Sequence, residues 1–324
     1  MIPYVPHKII FTIGDSFALF TWEFFKLACF LFGVYYLYRE SRRRKDIDIN
    51  AMMMFALLVG IGILIGGRLF HFLGPWSMAD MGFADSIRAL FSPMGGWVIY
   101  GGIIFAFVFG YAYLKIKKLD AAKYADLMAP AAMLAFFIGR FACFFAADLM
   151  AKQTSLPWAI TMHNSLVHPA AIYHALADLI IFVLLLELLR RQDYLNSKGK
   201  TKEYGQIFAY GLILYSFFRF IVEFSRIYPE KNYMFGLTMS QNISIVFFVL
   251  GIVYLMSKKN KLIDLCIPLK KDIKTAYLLI SIGGLTATIS LLLINLSFYP
   301  LLIIALAGFG ILIAGIRKYT QAKL

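Results

Sequence analysis

Long apolar segments divide this chain, and short charged stretches separate them. Nine segments approach the roughly 20 apolar residues that a helix needs to cross a bilayer. They are residues 15–38, 51–74, 96–116, 124–148, 168–190, 205–225, 239–257, 275–295 and 298–316. Only 15% of the residues are charged, whereas a soluble domain carries about 25%. The sequence therefore predicts an all-α fold, a polytopic membrane helix bundle.

Lysine and arginine accumulate in every second connection between the apolar segments. Five fall in 39–45, four in 115–123, five in 190–202 and six in 258–274, whereas the connections 75–95, 149–167 and 226–238 hold one or two each. Because cytoplasmic loops carry an excess of Lys and Arg, this alternation predicts the N-terminus outside and the C-terminus inside. Because the Lys and Arg residues lie in these connections, the net charge of +14 is explained as a signal of membrane orientation, and nucleic-acid binding is not predicted.

The cysteines and histidines show no metal-binding pattern. Cys29, Cys143 and Cys266 lie far apart, without a CxxC pair or a disulfide framework. His163, His168 and His174 have no Cys or carboxylate partners at metal-ligand spacing. The sequence therefore predicts no metal ion and no cofactor.

Three ionisable residues share one face of the sixth apolar segment. Arg219, Glu223 and Arg226 are spaced by four and then three residues, so a helix brings their side chains together. Arg219 lies about 21 Å above the inner end of its segment at 1.5 Å per residue. Arg140, in the fourth segment, lies about 24 Å above its own inner end by the same rise. The two arginines are therefore predicted at similar depth in the outer leaflet.

Arginine at this depth costs several kcal/mol unless it meets water or a partner. In one interpretation each arginine reaches the outer headgroups and Arg219 pairs with Glu223. In the other, both arginines hold a phosphate, because the planar guanidinium fork matches phosphate oxygens. The matched depth of Arg140 and Arg219 favours a phosphate site, and a phospholipid headgroup lies at this level.

Other polar residues each have two interpretations. Glu23, in the first segment, is predicted to be paired or near the outer surface, with a functional role as the alternative. His168 is either a loop residue entering the fifth helix or a residue that hydrogen-bonds and handles protons. The stretch GGWVIYGGIIFA lacks the Lys-Ser/Thr of a phosphate loop, so its glycines indicate close helix packing.

Short motifs follow one another along the first 257 residues. They are FTIGDSFALFTWEFF, GGRLF, GGWVIYGGIIFA, the segment from ADLMAPAAMLAFFIGR to LPWAI, HPAAIYHAL, GQIFAYGLILYSFFRFIVEFSR and GLTMSQNISI. This ordered set resembles the prolipoprotein diacylglyceryl transferase family over roughly residues 8–257. The resemblance implies about seven family-like spans in a membrane domain of residues 1–257. Residues 258–324 would then form a basic connector and a two-helix C-terminal extension.

The resemblance implies transfer of the diacylglyceryl group of phosphatidylglycerol to the lipobox cysteine thiol of a preprolipoprotein, with release of glycerol phosphate. It implies a bacterial inner-membrane protein whose active site faces the outer leaflet, among membrane lipids. Family arginines matching Arg140 and Arg219 serve the lipid phosphate, and a carboxylate matching Glu223 belongs to the same site. The candidate catalytic residues are Arg140, Arg219, Glu223 and His168. The candidate substrate-binding residues are Glu23, Tyr100, Gly101, Gly102, Cys143, Asp148, Arg226 and Gln241.

The chain departs from the family pattern at several positions. The usual His-Gly-Gly of the third helix begins here with Tyr100, and the usual Gln and Glu of HPAAIYH are Ala171 and His174. The Asn of the fourth-helix signature is absent, and three of its glycines are alanines.

These departures leave the base that takes the thiol proton open among His168, Glu23 and Glu223. They also leave open two other functions for a protein of the same fold. One is a paralogue that binds an anionic phospholipid and uses another acceptor. The other is an inactive lipid-binding membrane protein.

Overall fold

A computed structural model describes residues 2–3, 9–13, 17–44, 46–73, 98–145, 151–162, 164–199, 204–228, 233–257, 275, 278–280, 282, 285–286 and 298–321. Its long helices are α1 (Thr21–Arg43), α2 (Ile49–Leu73), α3 (Ile99–Ile116), α4 (Ala121–Phe145), α5 (Ala170–Ser197), α6 (Gln206–Glu223), α7 (Met239–Ser257) and α8 (Phe298–Gln321). The predicted all-α bundle is confirmed.

Short strands precede or connect these helices. They are β1 (Ile2–Pro3), β2 (Ile9–Ile13), β3 (Phe17–Phe20), β4 (Ile160–Met162), β5 (Ser165–Val167), β6 (Tyr233–Met234) and β7 (Leu237–Thr238). β1 pairs parallel to β4, and β4 pairs antiparallel to β5. The β2–β3 and β6–β7 hairpins are each antiparallel.

Six of the described helices are long and apolar enough to cross a bilayer. They are Ile49–Phe72, Ile99–Ile116, Ala121–Phe145, Ala170–Ser197, Gln206–Ser225 and Met239–Ser257. Together with the family match given below, they make the chain an integral membrane protein. The total of nine spans and the orientation of the termini stay predictions.

Several predicted helix boundaries were wrong. The first helix begins at Thr21 rather than at residue 15, because residues 17–20 pair with β2 as strand β3. The fifth begins at Ala170 and continues to Ser197, seven residues beyond the predicted end, because its last turns remain packed despite their charges. The fourth is helical to Phe145, and residues 146–148 lie outside the described part. The predicted segment 275–295 is described only in fragments.

The chain forms two compact units, residues 1–39 with 125–324 and residues 40–124. In the second unit, α2 packs against α3 through glycines. A Cβ placed on Gly66 would lie 2.2 Å from the carbonyl oxygen of Gly101, and one on Gly101 would lie 2.3 Å from that of Gly66. Close helix packing at these glycines, expected from the sequence, is therefore confirmed.

In the first unit, aromatic and aliphatic side chains from α1, α4 and α5 form the core. Phe137, Phe141 and Phe182 have no exposed surface. Phe25 lies against Phe141 at 6.0 Å between ring centroids, and Tyr36 meets Phe182 edge-on at 5.9 Å. Through these ring contacts α1 packs against both α4 and α5.

A buried carboxylate fixes the start of α6. Asp126, on α4, is 1% exposed. It accepts hydrogen bonds from the backbone N–H groups of Gly205 at 2.7 Å and Phe208 at 2.9 Å, and from the Gln192 side chain at 3.0 Å. Gly205 has a φ of +98°, which glycine adopts at no steric cost. The carboxylate thus caps the N-terminus of α6, where the helix dipole favours negative charge.

We expect Asp126→Ala to lower the free energy of unfolding by about 2–4 kcal/mol, because the buried N–H of Gly205, the partly buried N–H of Phe208 and the buried Gln192 side chain lose their acceptor. Thermal unfolding of the purified protein in one detergent measures the loss. Asp120→Ala is the matched control. Asp120 accepts from the N–H of Ala122 at 3.0 Å but is exposed, so the expected loss is about 1 kcal/mol. Equal losses in the two variants would contradict the buried cap.

Candidate functional site

Arg140 on α4 contacts both neighbouring helices. Its Nε donates to Oδ2 of Asp178 on α5 at 3.3 Å, and its Nη2 donates to the hydroxyl of Tyr215 on α6 at 3.3 Å. The Asp178 side chain is 2% exposed and that of Arg140 is 15% exposed. Among the described residues nothing accepts a hydrogen bond from Nη1 of Arg140, which leaves this donor for a ligand.

Arg219 on α6 meets His174 on α5 and Ser240 on α7. Its Nη1 lies 2.9 Å from Nε2 of His174, and its Nη2 donates to Oγ of Ser240 at 3.0 Å. A guanidinium has donors and no acceptor, so Nε2 of His174 must accept this hydrogen bond. His174 is therefore neutral in this arrangement, with its proton on Nδ1.

Glu223, at the end of α6, is the most heavily hydrogen-bonded carboxylate of the site. Arg219 and Arg226 approach its Oε2 at 3.4 and 3.3 Å. The hydroxyls of Tyr228 and Thr238 donate to its Oε1 at 2.7 and 3.3 Å. Burial and the Glu223 carboxylate raise the pKa of Tyr228 above its ordinary value, although Arg226 opposes them. The phenol therefore remains a neutral donor.

Thr238 and Gln241 begin α7 with a capping box. The Gln241 amide oxygen accepts from the Thr238 N–H at 3.0 Å, and the Gln241 N–H donates to Oγ1 of Thr238 at 3.2 Å. The same Thr238 hydroxyl donates to Glu223. Gln241 therefore orients Thr238, which donates a hydrogen bond to Glu223. The predicted contact of Gln241 with substrate stays a prediction.

One turn of α5 connects these contacts. Asp178 and His174 are four residues apart, so they lie on the same face and bring Arg140 and Arg219 into one cluster. We call Arg140, Arg219, Arg226, Asp178, His174 and Glu223 the arginine cluster. Its three guanidinium groups meet two carboxylates and a neutral imidazole, which leaves one net positive charge. A partly buried site with this charge is suited to an anion.

His168 is tied to the arginine cluster through the backbone. Its N–H donates to the carbonyl of Lys152 at 3.0 Å, and the N–H of Lys152 donates to the carbonyl of Ser225 at 2.9 Å. Ala151 forms a β-bridge with Arg226. The segment 151–153 therefore holds His168 in a fixed relation to the end of α6.

His168 also lines a small pocket next to the cluster. The other lining residues are Cys143, Phe144, Ala151, Ile160, Met162, Pro169, Ala170 and Ala171. Cys143 lies three residues after Arg140, so the pocket and that guanidinium share the C-terminal end of α4. The pocket is mostly apolar, with one imidazole and one thiol in its wall.

The remaining candidates are Glu23, Tyr100, Gly101, Gly102 and Asp148, and their roles in substrate binding stay predictions. Glu23 is exposed and pairs with Lys26 at 2.7 Å on its own helix, and no described contact links it to the arginine cluster. Tyr100, Gly101 and Gly102 lie at the start of α3 in the other compact unit. Asp148 lies outside the described residues.

Sequence reasoning missed several members of the site. Asp178 is a carboxylate inside an apolar helix, four residues after His174, and this position marks a functional residue in a membrane segment. Tyr215, Tyr228, Thr238 and Ser240 carry no such signal, because hydroxyl groups are common at membrane interfaces. Within the described part of the chain, no three His, Cys, Asp or Glu side chains come together as metal ligands.

Fold and site together define an integral membrane protein with a net-positive cluster built from three helices. The chain belongs to the prolipoprotein diacylglyceryl transferase family, whose sequence profile matches residues 8–257. It is therefore a transferase of lipoprotein biogenesis. The resemblance noted from the motifs is confirmed.

Individual relatives agree with the family match, and all three named here are phosphatidylglycerol–prolipoprotein diacylglyceryl transferases. That of Finegoldia magna is 33% identical over 202 residues, which cover 62% of this chain and 75% of the relative. That of Clostridioides difficile is 33% identical over 247 residues, covering 74% and 92%. That of Campylobacter lari is 26% identical over 265 residues, covering 73% and 92%.

Asp178→Asn tests the charge balance of the cluster. We expect a lower melting temperature in lipid-free detergent, because the partly buried Arg140 loses its counter-charge. Added anionic phospholipid should raise the melting temperature more in Asp178→Asn than in the native protein, since the cluster then carries one more positive charge. Asp193→Asn, fifteen residues further along the same helix, is the control and should respond like the native protein. A smaller lipid shift in Asp178→Asn would contradict the proposed anion preference.

Proposed function

We propose that the protein transfers the diacylglyceryl group of phosphatidylglycerol to the lipobox cysteine of preprolipoproteins and releases glycerol phosphate. The observation that carries the proposal is the joining of Arg140 and Arg219 in one net-positive cluster through a single turn of α5. Family membership supplies the reaction class, and the cluster supplies a place for the phosphate of the donor.

The donor phosphate would lie between the two guanidinium groups. Nη1 of Arg140 is unused by the described residues, and the net charge of the cluster favours an anion there. As the ester bond breaks, negative charge grows on the departing phosphate oxygen, and fixed guanidinium groups stabilise that charge without having to reorganise. The arginines would thus act both in binding and in the transition state.

The transfer step is a displacement at carbon. The acceptor sulfur attacks the glycerol carbon that bears the phosphate ester, so a C–S bond forms and the C–O bond breaks. The electron pair of the C–O bond leaves with the phosphate. The thiol must lose its proton to become the nucleophile, so a base has to lie near the acceptor.

His168 is the best placed of the three candidate bases. Glu223 is engaged by two arginines and two hydroxyls, so its oxygens are poor proton acceptors. Glu23 is exposed and paired with Lys26. His168 lines the pocket that also contains Cys143, and none of the described residues forms a hydrogen bond with its Nε2. The acceptor thiol would enter this pocket, with its proton passing to Nε2.

The predicted topology sets the location of the reaction. With the N-terminus outside, α4 ends and α5 begins on the outer side, and the cluster lies in the outer leaflet of the bacterial inner membrane. Phosphatidylglycerol would then reach the arginines laterally from that leaflet. The lipobox peptide, itself in the membrane, would approach the same side.

A second candidate keeps the phosphate site and changes the acceptor. Tyr100 stands where the family pattern has a histidine, and alanines replace glycines of the fourth-helix signature. These positions favour a protein that binds an anionic phospholipid and uses another acceptor. Lipid binding without transfer to a lipobox peptide would support this candidate.

We expect Arg140→Ala and Arg219→Ala each to lower transfer about 100-fold to 1000-fold, as loss of one charge-stabilising donor does in other enzymes. The assay uses purified protein in phosphatidylglycerol vesicles with a lipobox peptide, and mass spectrometry detects the diacylglyceryl adduct. Lysine at either position should restore only part of the rate, because it lacks the planar fork.

Two controls accompany this assay. Arg42 is an exposed arginine in the last turn of α1, and Arg42→Ala should keep the native rate. A peptide with serine in place of the lipobox cysteine should form no adduct. If either Arg140→Ala or Arg219→Ala keeps full transfer, the shared phosphate site is wrong.

A further inference from the structure

His168 is the last member of a hydrogen-bonded chain of three side chains. Its Nδ1 lies 3.2 Å from the hydroxyl of Tyr173, and that hydroxyl accepts a hydrogen bond from Nε1 of Trp158 at 2.7 Å. The His168 and Tyr173 rings meet edge-on, with centroids 6.0 Å apart. None of these three residues belongs to the arginine cluster.

The loop that carries Trp158 is itself anchored. The N–H of Thr154 donates to the carbonyl of Leu166 at 2.9 Å, and Gln153 bridges Val167. After the loop, Ile160 pairs with Val167 in the β4–β5 hairpin. The indole is 49% exposed, yet the backbone on both sides of it is bonded to the strand that leads directly into His168.

The donors and acceptors of Trp158, Tyr173 and His168 limit which atoms carry a proton. An indole N–H is a donor only, so the Tyr173 oxygen must accept from Trp158. The phenol oxygen has a second lone pair and can accept the Nδ1–H of His168 as well. In that arrangement Nε2 of His168 has no proton, and no described residue forms a hydrogen bond with Nε2. The opposite arrangement, with Tyr173 donating to Nδ1, would put the proton on Nε2.

We propose that Trp158 and Tyr173 are positioning residues that hold His168 with its proton on Nδ1 and an unprotonated Nε2 available to the acceptor thiol. This rests on the proposed function, because it concerns the base of that transfer. The proton of the thiol passes to Nε2, the sulfur attacks the glycerol carbon, and the departing phosphate takes the electron pair of the C–O bond. Among the described residues, the titratable or charged residues brought to His168 from neighbouring elements are Cys143, whose thiol is in the pocket wall, and Lys152, which contacts His168 through its backbone carbonyl.

A plain alternative is an aromatic pair at the membrane interface, since Trp and Tyr are enriched there. The two interpretations differ in what the Tyr173 hydroxyl does. An interfacial aromatic tolerates phenylalanine, whereas a positioning residue needs the hydroxyl oxygen. Tyr173→Phe therefore separates them, because it keeps the ring and removes only that oxygen.

The test uses the full chain in phosphatidylglycerol nanodiscs, with Tyr173→Phe, Trp158→Phe and Tyr254→Phe. Tyr254 is the matched control, a tyrosine on α7 whose hydroxyl bonds the carbonyl of Tyr204 at 3.4 Å. We expect Tyr173→Phe to lower kcat about tenfold to a hundredfold, in the range of a general base that has lost its orientation, with the KM for the peptide unchanged. Trp158→Phe should lower kcat less, and Tyr254→Phe should leave it unchanged.

A second readout does not depend on activity. Histidine-selective ¹⁵N solid-state NMR distinguishes the two neutral tautomers, and His168→Gln assigns the His168 signals among the five histidines of the chain. The native protein should show His168 protonated on Nδ1, and Tyr173→Phe should shift it to a mixture of tautomers. A signal from Nε2–H in the native protein would overturn the proposal, as would an unchanged signal in Tyr173→Phe.

The two readouts separate the two proposals. If the native protein gives no adduct while the NMR signature is as expected, the proposed transfer fails and the positioning of His168 stands. If transfer occurs and Tyr173→Phe keeps the native kcat, the transfer stands and the positioning role is wrong.

Discussion

The contact on which the site depends is the ion pair between Arg140 and Asp178. Burying a guanidinium within a membrane protein is costly unless a counter-charge is nearby, and Asp178 supplies it from a neighbouring helix at 3.3 Å. Because Asp178 is on the same face of α5 as His174, the pairing also fixes which part of α5 faces Arg219. A single helical turn therefore sets the distance between the two guanidinium groups.

Glu223 has a complementary role at the end of α6. Its partners come from α6, from the segment that follows it and from the start of α7. Thr238 caps α7 and donates to Glu223 at once, so the geometry of the helix terminus and that of the site are coupled. A carboxylate held in this way organises the arginines. Under the proposed function, the same contacts leave its oxygens poorly placed to accept a proton, and this is why His168 is proposed as the base.

The sequence predicted the helices more reliably than the contacts between them. Apolar length located six of the nine predicted spans among the described residues, since it depends on local composition. The start of the first helix was wrong because strand pairing between residues 9–13 and 17–20 is a non-local interaction. Rise per residue predicted that Arg140 and Arg219 lie at similar depth, and the structure joins both residues to one turn of α5. The rise per residue does not give the rotation of each helix about its own axis. Neither the partners of the two arginines nor the contact of His168 with Tyr173 could therefore be predicted from the sequence.

The departures from the family pattern acquire a physical meaning in this cluster. A glutamate at position 174, as in the usual pattern, would add a second carboxylate to the α5 face that already carries Asp178, and the net charge of the cluster would fall from one positive charge to zero. His174 instead accepts a hydrogen bond from Arg219 as a neutral imidazole. The arginine is thus held in place without being neutralised at that contact. Histidine at position 174 therefore holds Arg219 in place and leaves the cluster with one net positive charge.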